Sequence, residues 1–200
     1  MGVSTEEIKE LRDQTGAGVL DCRKALEESG GDMEQAIALL REKGLSAAAK
    51  RADREARNGM LDLYSHGGGR VGVIVEVNCE TDFVARTDGF REFAHEVALQ
   101  IAASSPMWVS EDDVPQDVIT REREIARKFA ENEGKPENVL DRIVDGRLQK
   151  FLDDTVLLRQ TYIRDEAKTV EELLKETIAS TGENVIIRRF ERWEVGEELE

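Results

Sequence analysis

Apolar residues recur at helical spacing in three successive stretches near the start of the chain: Ile8 and Leu11; then Leu20, Ala25 and Leu26; then Met33, Ala36, Ile37 and Leu40. The last set follows the i, i+3, i+4, i+7 rule of a helix with one buried face. Helix boundaries are written between the stretches. Ser4 with Glu7 forms a capping box, and "TGAG" at 15–18 breaks the first helix. Gly30-Gly31 stops the second, which runs from about Gly18 to Ser29. Asp32 with Gln35 opens the third, and Gly44 is expected to end it. The pattern predicts a three-helix unit over residues 1–44, followed by a helical linker at 45–57 that is rich in alanine and charge.

The period then changes from helical to two. "GMLDLYSH" and "RVGVIVEVN" flank Gly67-Gly68-Gly69, a hairpin signal. Val71, Val73, Val75 and Val77 share one face of the second strand, and Gly72, Ile74, Glu76 and Asn78 share the other. A helical stripe follows at Phe90, Phe93, Ala94, Val97, Ala98 and Ile101. Residues 116–133 and 136–151 form a helical hairpin around "EGKP", with Val118, Ile125 and Phe129 as its expected seam. Thr169 with Glu172 caps a last helix carrying Val170, Leu173, Leu174 and Ile178. "ENVIIRRFERWEV" reads as a strand that joins the hairpin as a third, with Ile186 and Phe190 on one face and Val185, Ile187 and Trp193 on the other. The fold class is α+β: a three-helix module, a small antiparallel sheet packed with helices, and a protruding helical hairpin within a core domain at 58–200.

Composition narrows the function classes. The 200 residues carry a formal net charge of −15, with 36% charged and 40% hydrophobic residues. Such a field repels phosphate, which argues against direct binding of nucleic acid or an anionic membrane. One local basic patch stands out, "AAAKRADREAR" at 47–57. No apolar run approaches the roughly 20 residues of a membrane span, and the N-terminus has no signal-peptide core. The cytoplasm is the expected location and a protein the expected partner.

Catalytic chemistry is poorly represented. Cys22 and Cys79 lie in apolar contexts, and with His66 and His95 they have no metal-ligand spacing, so no metal or cofactor is expected. Neither a G-x-S-x-G elbow nor a G-x-x-x-x-G-K-[ST] loop is present. "HGGGR" reads as a hairpin turn before it reads as an anion cradle, and Asp112-Asp113 and Asp153-Asp154 as solvated surface. No catalytic residue is assigned and no enzyme activity is expected. One placement is unusual: Asp82 and Phe83 sit side by side in the tight connection between the second strand and the helix that follows it. On pattern alone, Phe83 either caps the core or points at a partner.

The three-helix unit, with "TGAGVLD" and "MEQAIALL", resembles the ubiquitin-associated type of module, which binds through one loop and one helix face. A purely stabilising bundle is the alternative. Over nearly its whole length the chain resembles the bacterial elongation factor Ts family, the nucleotide exchange factors of elongation factor Tu. The carrying stretches are "LRDQTGAGVLDCRKALEESGGDMEQAIALLREKG", "VGVIVEVNCETDFVAR", "GKPENVLDRIVDGRLQKF", "KTVEELL" and "NVIIRRFERWEVG", in family order. The resemblance implies that Thr81, Asp82, Phe83 and Val84 form the segment that disturbs the magnesium site of the GTPase, with the phenylalanine as a wedge between the partner's helices. It also implies docking through Val19, Leu20 and Arg23, where some relatives have lysine at the last position. His66 matches a histidine in a similar hairpin of long relatives; as a lone histidine at a strand end it also reads as surface.

Long family members have two related core halves, whereas this chain reads as one hairpin, one following helix and one final strand, with "EVGEELE" as its last residues. The resemblance therefore implies a homodimer in which a second copy supplies the missing half. The helical hairpin either steadies the complex or projects into solvent. A helical adaptor without exchange activity is the alternative function.

Overall fold

The computed structural model describes residues 3–198, apart from the side chains of residues 45 and 47. The first two and last two residues, which the domain ranges above include, lie outside that description. Helix α1 (Thr5–Thr15) begins at Ser4. The Ser4 hydroxyl accepts from the Glu7 amide at 3.2 Å, and the Ser4 amide donates to the Glu7 carboxylate at 2.7 Å. Both bonds satisfy donors that no helical carbonyl reaches. They also hold the Glu7 carboxyl below its usual range, the Ser4 amide contributing most. Helices α2 (Val19–Glu28) and α3 (Met33–Ala49) follow. Leu11, Cys22, Ala25, Leu26, Ala36 and Leu40 form the closed core of the bundle, with Ile8, Met33 and Ile37 packed against it. Ser4→Ala is expected to cost about 1 kcal/mol of helix stability, read as faster amide exchange in the first turn of α1.

Leu20 does not face this core. It is exposed, and Cys22 fills the inward position. Nor does Gly44 end α3, which continues to Ala49. The alanine-rich segment after it favours helix, and a single interior glycine costs only about 1 kcal/mol. Gly44 serves closeness: a Cβ there would lie 3.1 Å from the Ala179 methyl.

Strands β1 (Asn58–His66) and β2 (Val71–Cys79) are joined by the glycine turn, where the amides of Gly69 and Arg70 donate to the His66 carbonyl at 3.2 and 3.0 Å. The four valines of β2 are buried. A short helix α4 (Asp82–Ala85) leads into α5 (Asp88–Ser104), whose expected stripe from Phe90 to Ile101 is buried throughout.

Helices α6 (Gln116–Asn132) and α7 (Glu137–Thr155) form the helical hairpin. Of the three residues expected at its seam, Val118 packs inward against the cluster of Val114, Leu148, Leu152 and Val156, and the other two do not. Ala126 and Ala130 are buried on α6, with Leu140, Val144, Leu148 and Leu152 buried on α7, while Ile125 and Phe129 are exposed. Small residues let two helix backbones approach, and the leucines then fill the groove. Phe129 lies at the edge, with the Arg147 guanidinium 3.7 Å from its ring centre.

A second hairpin, β3 (Thr161–Tyr162) and β4 (Asp165–Thr169), is absent from the sequence reading. Its residues are polar and lack alternation, so tertiary bonds hold it. Tyr162 Oη donates to Glu96 at 2.6 Å, Gln100 Nε2 donates to the Thr161 carbonyl at 3.2 Å, and the Ile163 amide donates to Gln100 Oε1 at 2.9 Å. Helix α8 (Val170–Thr181) and strand β5 (Val185–Glu194) complete the order. The third strand joins as expected, in the order β1-β2-β5 with β2 central, and the class is α+β. On β5, Val185 and Ile187 are buried, whereas Trp193, read on the same face, is exposed in the single chain.

The chain gathers into two units. One contains the chain up to Asp62 with Glu76–His95 and Glu172–Ile187; the other contains Leu63–Val75, Glu96–Glu171 and the chain from Arg188 on.

Candidate functional site

The turn between β2 and α5 lies in the first unit, and side chains fix it. Thr81 is the N-cap of α4, its hydroxyl oxygen accepting from the Val84 amide at 3.3 Å. The Thr81 amide and hydroxyl both donate to the Glu183 carboxylate, at 3.0 and 2.6 Å. One residue earlier the Glu80 carboxylate accepts from the Asn184 amide at 2.7 Å, and the Glu80 carbonyl accepts from Asn58 Nδ2 at 2.8 Å. The buried Asn184 side chain donates to the carbonyls of Arg54 at 2.7 Å and Ala52 at 3.3 Å. Such satisfaction is what makes a buried amide tolerable.

Val84 anchors the turn from inside at 6% exposure, whereas Phe83 next to it is 78% exposed. The core-capping alternative for Phe83 is therefore excluded. Burying a phenylalanine side chain stabilises by roughly 1.5–3 kcal/mol, and the free chain leaves that unrealised at this position. Asp82 is also exposed, its carboxylate accepting from Arg86 Nη2 at 2.9 Å in an i, i+4 pair. Exposed pairs of this kind contribute at most a few tenths of a kcal/mol, so Asp82 is held only lightly.

On α2, Val19 and Leu20 are both exposed, Leu20 at 70%. Arg23 lies one turn on, its Nε donating to Glu27 at 2.8 Å. His66 belongs to the second unit, at the end of β1, with Nδ1 2.9 Å from the Tyr64 hydroxyl. Thr81 to Val84 thus form one fastened turn and Val19, Leu20 and Arg23 one stretch of helix surface, while His66 sits at a hairpin tip.

The chemistry of the other reactive groups is quiet. Burial pushes both the Cys22 and Cys79 thiols above the ordinary range, and the Glu183 carboxylate adds to the effect at Cys79. Neither is an activated nucleophile. His95 Nδ1 lies 3.1 Å from Asp62 Oδ2. Among the described residues, no group of three or more His, Cys, Asp or Glu side chains is placed to hold a metal ion, and no helix is long and apolar enough to cross a membrane. Gly67, Gly69 and Gly72 have the spacing of a dinucleotide-binding loop, but such a loop must open a helix, and these lead into β2.

Glu183 and Asn184 were not legible as site residues. In sequence, "TGEN" reads as an ordinary turn between a helix and a strand, and nothing local marks a carboxylate whose partner lies 102 residues away.

Residues 13–197 match the family described as Elongation factor TS. The chain is 60% identical over 198 residues to a protein named Elongation factor Ts from Thermoanaerobacter sp. (strain X514), covering 99% of this chain and 97% of the relative. It is 59% identical over 198 residues to the protein of that name from Caldanaerobacter subterraneus subsp. tengcongensis, covering 99% of each. The relative from Coprothermobacter proteolyticus is 56% identical over 197 residues, covering 98% of this chain and all of that protein. With a family match over nearly all its length and relatives of equal extent, the chain belongs to the elongation factor Ts family of translation elongation factors.

Proposed function

We propose that the protein binds elongation factor Tu in its GDP form and accelerates GDP release, so that GTP can replace it, acting in the cytoplasm and without covalent chemistry of its own. The observation that carries this reading is the 78% exposure of Phe83 on a turn tied to the α8–β5 connection at Glu183 and Asn184. Mg²⁺ bridging a nucleotide to a GTPase demands near-ideal octahedral geometry. An aromatic ring inserted beside that site, with Asp82 next to it, shifts a ligand and releases the ion, and the phosphates lose their counter-charge. By linkage, the factor by which the protein weakens nucleotide binding is the factor by which nucleotide weakens the protein's own.

A thousandfold acceleration requires lowering the barrier by about 4 kcal/mol, more than one aromatic supplies. We assign the remainder to Thr81 and Val84, which shape the turn, to Val19, Leu20 and Arg23 on α2, and to His66. In this reading residues 1–44 dock on the GTPase, residues 45–57 link, and residues 58–200 form the core. The experiment is release of a fluorescent GDP analogue from elongation factor Tu, with and without this protein. Strong acceleration is expected; binding without acceleration would replace exchange by the adaptor reading.

We further propose a homodimer through the sheet. Leu63 on β1 and Trp193 on β5, both on edge strands, are 73% and 74% exposed, and Val195 beyond β5 is exposed as well. Among the described residues, the β1-β2-β5 sheet leaves the outer edges of both edge strands without a strand partner, and a second copy of this chain is the occupant that would cover these apolar side chains. Sedimentation is expected to give twice the 22.5 kDa chain mass, with Trp193→Glu shifting it toward the single chain. A native chain that sediments as a monomer would remove the dimer.

A further inference from the structure

We infer that Glu183 is a positioning residue for nucleotide exchange, holding the Phe83 turn in its active shape through Thr81; this rests on the reading of Phe83 as the wedge. A four-residue helix such as α4 has almost no stability of its own, because nucleation costs more than one turn of hydrogen bonds returns. Something outside the turn must hold it, and the bonds from Thr81 to Glu183 do so. The Thr81 hydroxyl has one hydrogen and two acceptor sites. Its hydrogen is committed to Glu183 at 2.6 Å, which fixes the rotamer and leaves a lone pair aimed at the Val84 amide, 3.3 Å away. The same carboxylate takes the Thr81 backbone amide at 3.0 Å. One side chain on the α8–β5 connection therefore fixes backbone and rotamer of the N-cap, and the cap fixes the helix that carries Phe83.

The neighbouring pair runs the other way: Glu80 on the turn accepts from the Asn184 amide at 2.7 Å. Two acidic side chains, one from each segment, cross-brace the connection, and carboxylate acceptors make stronger hydrogen bonds than neutral ones. The consequence is kinetic rather than architectural. A pre-formed turn spares the ordering entropy that a loose loop would lose on inserting its aromatic. The Glu183 carboxylate is directed at Thr81 on the turn, so docking through α2 is expected to be unchanged.

The test uses the full chain, with Glu183→Ala, Glu183→Gln, Phe83→Ala and the double variant Phe83→Ala/Glu183→Ala. Maximal GDP release and half-saturating concentration are read on elongation factor Tu, and amide hydrogen exchange on the free chain. Glu183→Ala is expected to lower the maximal rate about tenfold, the effect of losing hydrogen bonds to a charged group, with half-saturation changed less than about twofold. Glu183→Gln keeps one acceptor oxygen for the two Thr81 donors and no charge, and restores the rate in part. In the Phe83→Ala background, removing Glu183 adds little further loss, because the two act through one another. Amide exchange in the free Glu183→Ala chain rises across Thr81–Val84 while α5 stays protected, which separates a loosened turn from a misfolded chain.

An unchanged maximal rate in Glu183→Ala, or a loss that adds in full to that of Phe83→Ala, would overturn the assignment. So would unaltered protection at Thr81–Val84, whatever the partner does. If the native chain fails to accelerate release at all, the exchange reading falls, and amide exchange alone then decides whether Glu183 holds the turn.

Discussion

Replacing Phe83 with alanine is expected to lower the maximal acceleration of GDP release by about ten- to hundredfold, the rate equivalent of roughly 1.5–3 kcal/mol of aromatic burial at the partner. Unfolding stability should barely change, because the ring is exposed in the free chain and its removal opens no cavity. That combination separates a wedge from a core residue, for which Phe→Ala costs about 3–5 kcal/mol of stability. Stopped-flow release with a fluorescent GDP analogue, paired with chemical denaturation of the free chain, reads both. Acceleration that survives the substitution would move the cause to the α2 surface at Val19, Leu20 and Arg23. A large fall in stability would show that the ring packs within the fold.

The second large effect lies at Gly59, near the start of β1. Its φ is 150°, and a Cβ built there would stand 2.1 Å from the Val77 carbonyl oxygen and 2.7 Å from the Asn78 Cα. Both obstacles are backbone atoms of the central strand, so no rotamer change relieves the clash. Gly59→Ala is expected to destabilise the protein by about 3 kcal/mol or more, combining backbone strain with displaced strand pairing. Exchange should fall with it, since neighbouring Asn58 holds the Glu80 carbonyl at the base of the Phe83 turn. Gly72→Ala is the matched control: nothing lies within 4 Å of a Cβ there and its φ is not positive, so little change is expected. Denaturation midpoints of the two variants, measured side by side, make the comparison. Equal stabilities would contradict the close approach at Gly59.

Much of the fold was legible because its signals are local. The Ser4 capping box, the valine alternation of β2 and the α5 stripe each occupy a few consecutive residues, and each forms as expected. Where several apolar residues competed for one role, the reading slipped. Ile125 and Phe129 are the larger side chains of α6, yet Ala126 and Ala130 hold the seam, because the separation of two helices depends on what the facing helix presents. Leu20 has helical spacing and still points outward. The site divides the same way. Asp82 and Phe83 could be singled out from their residues, and Thr81 and Val84 only from family resemblance, whereas the hydrogen bonds of Glu183 and Asn184 to the turn could not be read at all.

The amino-acid sequence by itself determined the start of α1, the breaks between the first three helices, and which faces of β2 and α5 are buried. These follow from hydrogen bonds and periodicities spanning three or four residues. Only the tertiary structure decided that Phe83 stands in solvent, that Gly59 is needed against Val77, that β3 and β4 pair, and that Glu183 braces Thr81 across 102 residues. Each of these depends on the distance between atoms far apart in the chain, which no local pattern of residue types encodes.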